Sequence, residues 1–274
     1  MLDLNLLKIS LKDALKIANE GETILLENKT YNEKIEIDKK NITLIGDELT
    51  KISFNAYSGM VIPYDLGGDG KETFRTTTSA TVRIKEGADG FKAFGITFEN
   101  SYKREEDEDR QAVAFKSEIN DLSIENCKFI GEQDTLYIDN GKNNKISSSY
   151  IEGDIDFIFG SADCTFSNCE IVGLNRKRVY FTAPSTLLDN KKGFHFKYCT
   201  FKSEAPLAHL GRPWYPTSAT KEIYPRLILK NCKLYGNINL DLIKMNEKDL
   251  RLYELRIKKS IINNLEVNLD IVKK

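Results

Sequence analysis

The sequence predicts an all-β chain wound as a right-handed parallel β-helix and capped at its start by one short helix. Three observations predict it. A phrase of a small or polar residue, then Cys or Ile (Ser at 149), a polar residue, and Phe, Ile or Leu recurs at Ile42, Ile96, Cys127, Ser149, Cys169, Cys199 and Cys232. The tightest spacings, 22 residues from Cys127 to Ser149 and 20 from Ser149 to Cys169, suit one turn of a three-sheet coil, and the wider spacings of 30 and 33 leave room for loops. Between the phrases the chain reads as short strands with period-two alternation, as in Lys34-Ile35-Glu36-Ile37 and Asn41-Ile42-Thr43-Leu44-Ile45-Gly46. A doubly wound fold would need a helix of roughly ten residues or more between strands, and none is visible there.

In chain order, Ser10 precedes an apolar stripe at Leu11, Ala14, Leu15 and Ala18, with Ser10 and Asp13 spaced as a capping box and Gly21 as the stop. This is the predicted capping helix. Gly67-Gly68-Asp69-Gly70 lacks the lysine and following helix of a phosphate loop and reads as a flexible turn. The acidic run from Arg104 to Arg110 reads as a solvated face over the coil. Cys127, Cys169, Cys199 and Cys232 share one repeat position, which predicts reduced thiols stacked inside. With no C-x-x-C spacing, and His195 and His209 read as structural, neither a disulfide framework nor a metal site is expected. Beyond Asn237 the alternation persists with a weaker repeat, so residues 236–274 read as the last coils and tail of a single domain spanning 1–274.

The bulk numbers bound the function. At 274 residues, 41% hydrophobic and 30% charged, the chain can bury a substantial core. Forty basic against forty-one acidic residues, a formal charge of −1, give no general electrostatic reason to bind nucleic acid. No apolar run approaches the roughly 20 residues of a membrane span. The start, Met1-Leu2-Asp3-Leu4-Asn5, lacks the features of a secretory signal, so the sequence as it stands is expected in the cytoplasm, or secreted if a signal has been removed. A monomer is expected.

The chemistry concentrates between Gln111 and Trp214. Asp134 and Asp156 are 22 positions apart, the same interval as the repeat, so their carboxyls would lie side by side on neighbouring coils, about 4.8 Å apart. Two such groups cannot ionise equally easily, which yields an acid and a nucleophile from identical side chains. Turn-capping is the plainer reading of the two aspartates, but neither precedes a glycine and both abut apolar strand residues. Gln111 and Gln133, again 22 apart, could present paired amide donors to an oxyanion or form an interior amide ladder. In Leu210-Gly211-Arg212-Pro213-Trp214 a loop places a guanidinium beside an aromatic face, where Arg212 could serve the carboxylates or a surface ion pair. Together these are the parts of an acyl-transfer site.

Gln111-Ala112-Val113-Ala114-Phe115, Gly131-Glu132-Gln133-Asp134-Thr135-Leu136-Tyr137, Asp156-Phe157-Ile158-Phe159-Gly160 and Leu210-Gly211-Arg212-Pro213-Trp214 resemble, in order, the signature blocks of the pectin methylesterases. Weaker similarity at Thr30-Tyr31-Asn32-Glu33, Ser79-Ala80-Thr81-Val82 and Thr182-Ala183-Pro184-Ser185-Thr186 extends the match over roughly residues 10–235. The resemblance implies a right-handed parallel β-helix that removes methyl esters from homogalacturonan or oligogalacturonides without metal or organic cofactor. It makes Asp156 the nucleophile, Asp134 the general acid and then base, Gln111 and Gln133 the oxyanion donors, and Arg212 the group that keeps Asp156 ionised. It places Trp214 against a galacturonate ring and Tyr137, Phe159, Tyr180, Thr217 and Thr76 along the cleft. The chain departs from the family pattern in having one tryptophan, in lacking a glycine-rich stretch after Tyr253-Glu254-Leu255, and in carrying Lys29 where the first block usually has glycine. A non-catalytic β-helix binding acidic polysaccharide is the alternative from another class, and a lyase or polygalacturonase the alternative on the same fold.

Overall fold

Strands of three or four residues are too short to fold back on a neighbour within their own coil. They are satisfied by pairing with their equivalents one coil above and below. In the computed structural model, which describes residues 1–216, 219–242 and 253–273, this pairing builds three parallel stacks joined at tight corners, the right-handed β-helix expected from the repeat. One stack runs through Phe115↔Leu136, Leu136↔Ile158 and Ile158↔Thr182. A second runs through Ile124↔Ile146, Ile146↔Phe166 and Phe166↔Phe196, and a third through Phe98↔Phe129, Phe129↔Ile151 and Ile151↔Ile171. The register keeps like over like, so most of these side chains point inward and are fully buried in one continuous core. The Phe166 and Phe196 rings, for example, stack at 4.4 Å.

The recurring phrase is one corner of the coil. Its first residue, Asn126, Ser148, Asn168, Tyr198 or Asn231, has φ between 49 and 55°, a left-handed conformation that asparagine tolerates better than most residues. The chain then turns the next residue inward, so Cys127, Ser149, Cys169, Cys199 and Cys232 are all buried. The cysteines are free. Where serine replaces cysteine, its hydroxyl accepts the backbone N–H of the residue one coil back: Ser149 from Cys127 at 3.1 Å, and Ser260 from Cys232 at 3.2 Å. Lys259 (φ 48°) and Ser260 thus continue the ladder one coil beyond the last repeat read from the sequence.

The N-terminal helix spans Leu11–Ile17, with the Ser10 hydroxyl accepting from Asp13 N–H at 3.0 Å. Glu33 receives the N–H groups of Leu11 and Lys12, and Lys39 donates to the carbonyls of Leu15, Lys16 and Ala18, so both ends are satisfied by the first coil. Leu11, Ala14, Leu15 and Ala18 close the core from this side. One-turn helices at Leu4–Leu7 and Thr76–Ser79 show no periodicity in the sequence because a single turn is too short to display it.

Two expectations are corrected. The run from Arg104 to Arg110 is a solvated face only in part: Glu105, Asp107 and Asp109 are exposed, but its first residue goes in. Arg104 is buried, donates to Asp154 at 3.0 and 2.7 Å, and bonds the carbonyls of Glu105, Glu106 and Glu108, while its own N–H reaches Glu132. Arg176 joins Glu132 at 2.9 Å and Lys177 joins Asp107 at 3.1 Å. The run is a strap tied down through carboxylates on the coils, because a buried arginine needs both a counter-charge and acceptors for its remaining donors. The C-terminal end is also more than coils and a tail: Tyr253–Ile262 adds to the stack in parallel, and Leu265–Lys273 folds back antiparallel against it.

Candidate active site

Asp134 and Asp156 stand at the corners that lead into one stack, two residues before the paired Leu136 and Ile158. Both are left-handed, with φ of 66 and 52°, so each occupies a turn position while its carboxyl is buried at the floor of a cleft. The Asp134 N–H donates to the Ile155 carbonyl at 3.0 Å, which ties one corner to the next. Arg212 grips Asp156: Nε lies 2.8 and 3.0 Å from the two carboxylate oxygens, and Nη2 lies 2.6 Å from Oδ2. The guanidinium also lies 4.5 Å from the Tyr180 ring, which stacks in turn on His209.

The two carboxyls are pushed apart in acidity. Burial, followed by the charges of Asp156 and Asp109, raises Asp134 well above the usual carboxylate range. Burial raises Asp156 too, but its hydrogen bonds and charge contact with Arg212 oppose that rise. Asp156 is therefore the member of the pair that gives up its proton first.

Gln111 and Gln133 sit on adjacent turns, and their Nε2 atoms converge on a single oxygen, Asp109 Oδ1, at 2.8 and 2.7 Å. The Arg110 N–H donates to Gln133 Oε1 at 3.2 Å and so fixes which end of that amide faces the cleft. Above the charged floor, Tyr137 and Phe159 stack at 4.1 Å, and Trp214 meets both edge-on at 6.0 and 5.5 Å. Trp214 is held by its N–H on the Pro184 carbonyl, 2.9 Å away. These rings, with Thr76, Thr77 and Lys221, line a cleft of about 790 Å³.

Of the residues expected in the site, the cleft brings together Asp134, Asp156, Gln111, Gln133, Arg212, Trp214, Tyr137, Phe159 and Thr76. Tyr180 lies beneath Arg212 instead of lining the cleft, because its ring supports the guanidinium. Thr217 lies outside the described residues. Sequence reasoning missed Asp109, Glu86 and Asp139, all of which line the cleft. Asp139 receives the hydroxyls of Tyr137 and Ser161 and lies 22 positions before Ser161, so the repeat interval could have pointed to it. Asp109 was hidden in an acidic run, where composition gives no hint of which carboxylate meets the glutamines. The histidines serve packing: burial and nearby lysines push His195 down to about 4, and burial lowers His209.

The fold and site together are a parallel β-helix bearing a carboxylate pair, a gripping arginine and aromatic side chains in one open cleft. The pectinesterase family model matches residues 5–239, and the chain belongs to that family. A probable pectinesterase A from Aspergillus fumigatus is 30% identical over 232 residues, covering 82% of this chain and 66% of that protein, so the chain spans just under two thirds of that relative's length. The pectin methylesterase from Yersinia enterocolitica superposes with a TM-score of 0.75 at 26% identity, covering 94% of this chain and 92% of that one. A mutant pectin methylesterase in complex with hexasaccharide IV superposes with a TM-score of 0.79 at 26% identity, covering 95% and 87%.

Proposed function

We propose that this chain hydrolyses methyl esters on homogalacturonan or its oligomers, releasing methanol and leaving free carboxylate on the sugar. The observation that carries the reading is the asymmetry of the aspartate pair: Asp156 is held by three contacts to Arg212, and Asp134, buried beside it with no such grip, is pushed well above the usual carboxylate range. Asp156, ionised and fixed in one orientation, attacks the ester carbonyl, and the oxyanion that forms is received by the Gln111 and Gln133 amides. Asp134 gives its proton to departing methanol. The resulting anhydride is hydrolysed by a water from which Asp134, now a base, takes a proton, and Asp156 leaves as carboxylate. No step needs a metal or an organic cofactor. Trp214, backed by the buried Phe159 and Tyr137, presents an apolar face for a sugar ring, and one copy of the chain supplies every group, so we take a monomer as the working unit.

Methanol release from methylated pectin and from methylated oligogalacturonides tests the reading directly. Wild type should release methanol with a chelator present and without forming unsaturated sugar. Asp156→Ala and Asp134→Ala should each lose nearly all of that activity while keeping the β-rich circular dichroism spectrum. Full activity in either variant would overturn the roles assigned.

A further inference from the structure

The two glutamine amides already have an occupant. Asp109 Oδ1 accepts from Gln111 Nε2 at 2.8 Å and from Gln133 Nε2 at 2.7 Å, both at the short end for an N–H donor and as expected for a charged acceptor. The placement is built. Asp109 ends the strap whose other end, Arg104, is buried against Asp154, and the intervening Glu108 carbonyl is itself bonded by Arg104 at 2.7 Å. Among the described residues no ion pair joins Asp109 to a cation, since the adjacent Arg110 turns to Glu108 at 3.2 Å and to the Ser58 carbonyl. Its charge is directed into the cleft, where it adds to the upward pressure on both Asp134 and Asp156.

We propose, resting on the esterase reading above, that Asp109 is a specificity-determining residue that admits the neutral ester and expels the free carboxylate it becomes. A methyl ester carbonyl carries no net charge, and Asp109, exposed to solvent, can swing aside as that oxygen takes up the two amides. The product is different. Its carboxylate competes with Asp109 for the same two N–H groups and is repelled by it at close range. Repulsion between two unit charges about 4 Å apart in a water-like setting corresponds to roughly a fivefold to tenfold weaker affinity. The sugar contacts on either side are the same for substrate and product, so they cancel in the comparison. Asp109 thus works against product inhibition, and because the same charge also opposes the oxyanion on those amides, Asp109→Asn should not lower kcat.

The test is Asp109→Asn, which keeps an acceptor oxygen for both amides and removes the charge. Product inhibition of methanol release is measured with fully de-esterified trigalacturonate, and the ratio Ki/KM should fall roughly fivefold to tenfold in the variant, with the difference shrinking in 0.5 M salt. Asp107→Asn, on the same strap but paired with Lys177 away from the cleft, should leave that ratio at the wild-type value. Direct titration of trigalacturonate, followed by Trp214 fluorescence, reads the same affinity change without turnover. An unchanged ratio in Asp109→Asn, or an equal fall in Asp107→Asn, would overturn the role of Asp109. Wild type that releases no methanol yet binds trigalacturonate more weakly than Asp109→Asn would overturn the esterase reading instead.

Discussion

Replacing Arg212 by lysine asks how much of the site depends on a planar fork. Arg212 places two N–H groups on Asp156 through three contacts of 2.6–3.0 Å and rests on the Tyr180 ring at 4.5 Å. A lysine ammonium keeps the charge but can hold one carboxylate oxygen at a time, and it gains less from the ring. The loss is one charge-assisted hydrogen bond, about 1.5–3 kcal/mol, plus about 0.5–1 kcal/mol of cation–π contact. If that orientation is needed in the transition state, kcat should fall roughly 30- to 1000-fold. The pH profile gives a second readout. Weaker hydrogen bonding to the ionised form lets burial raise Asp156 further, so the acid limb of kcat/KM should move to higher pH. The assay is initial methanol release on a methylated oligomer across the acid-to-neutral range. A kcat within threefold of wild type, with the acid limb unmoved, would mean that Arg212 binds polymer and does not hold the nucleophile.

Three further outcomes are expected. Asp134 prefers its proton in the folded state and loses it readily when unfolded, so the folded state is penalised above the unfolded pKa of about 4; Asp134→Asn should raise Tm at pH 7, by roughly 2–4 °C per kcal/mol, and lose that gain near pH 3.5, as calorimetry at the two pH values would show. Arg104→Ala leaves buried Asp154 with Arg176, at 3.7 Å, as its one remaining cation among the described residues, and should cost about 3 kcal/mol in urea unfolding; a cost below about 1 kcal/mol would make the strap peripheral. All five thiols are buried and free, so an alkylating reagent should label none rapidly in the native protein and all five after unfolding without reductant, counted by mass spectrometry.

The parts of this molecule that the sequence made legible are those written by the coil itself. A 22-residue interval relates Cys127 to Ser149, Gln111 to Gln133 and Asp134 to Asp156, because each coil returns the chain to the same Cα partners and a repeat in space must be a repeat in sequence. The phrase itself was legible, and the structure shows that Asn126 and Asn168 open its corners because asparagine enters a left-handed turn at little cost. What stayed hidden depends on contacts with no period. Arg104 meets Asp154 across 50 residues, and nothing in the order of charges from 104 to 110 says that its first arginine goes in while Asp109 turns to the glutamines. The role of Tyr180 was obscured for a related reason: an aromatic on the active stack can face the sugar or brace an arginine, and the choice is made by the loop that carries Arg212. The last coils were expected within residues 236–274, but their corner could not be placed because Lys259 and Ser260 fill it with residue types that do not advertise it.

The coil between Asp134 and Asp156 carries no insertion, whereas later coils reach 30 and 33 residues between equivalent corners. Extra residues leave the stack at a corner and the chain re-enters in register, as Phe166↔Phe196 shows across a longer coil. Distance along the axis is therefore counted in whole strand spacings and is indifferent to what is threaded through the loops. The walls of the cleft can be lengthened, shortened or recharged without moving one carboxyl relative to the other. The reacting pair is insulated from the history of its surroundings, and change in this scaffold is channelled into reach and selectivity.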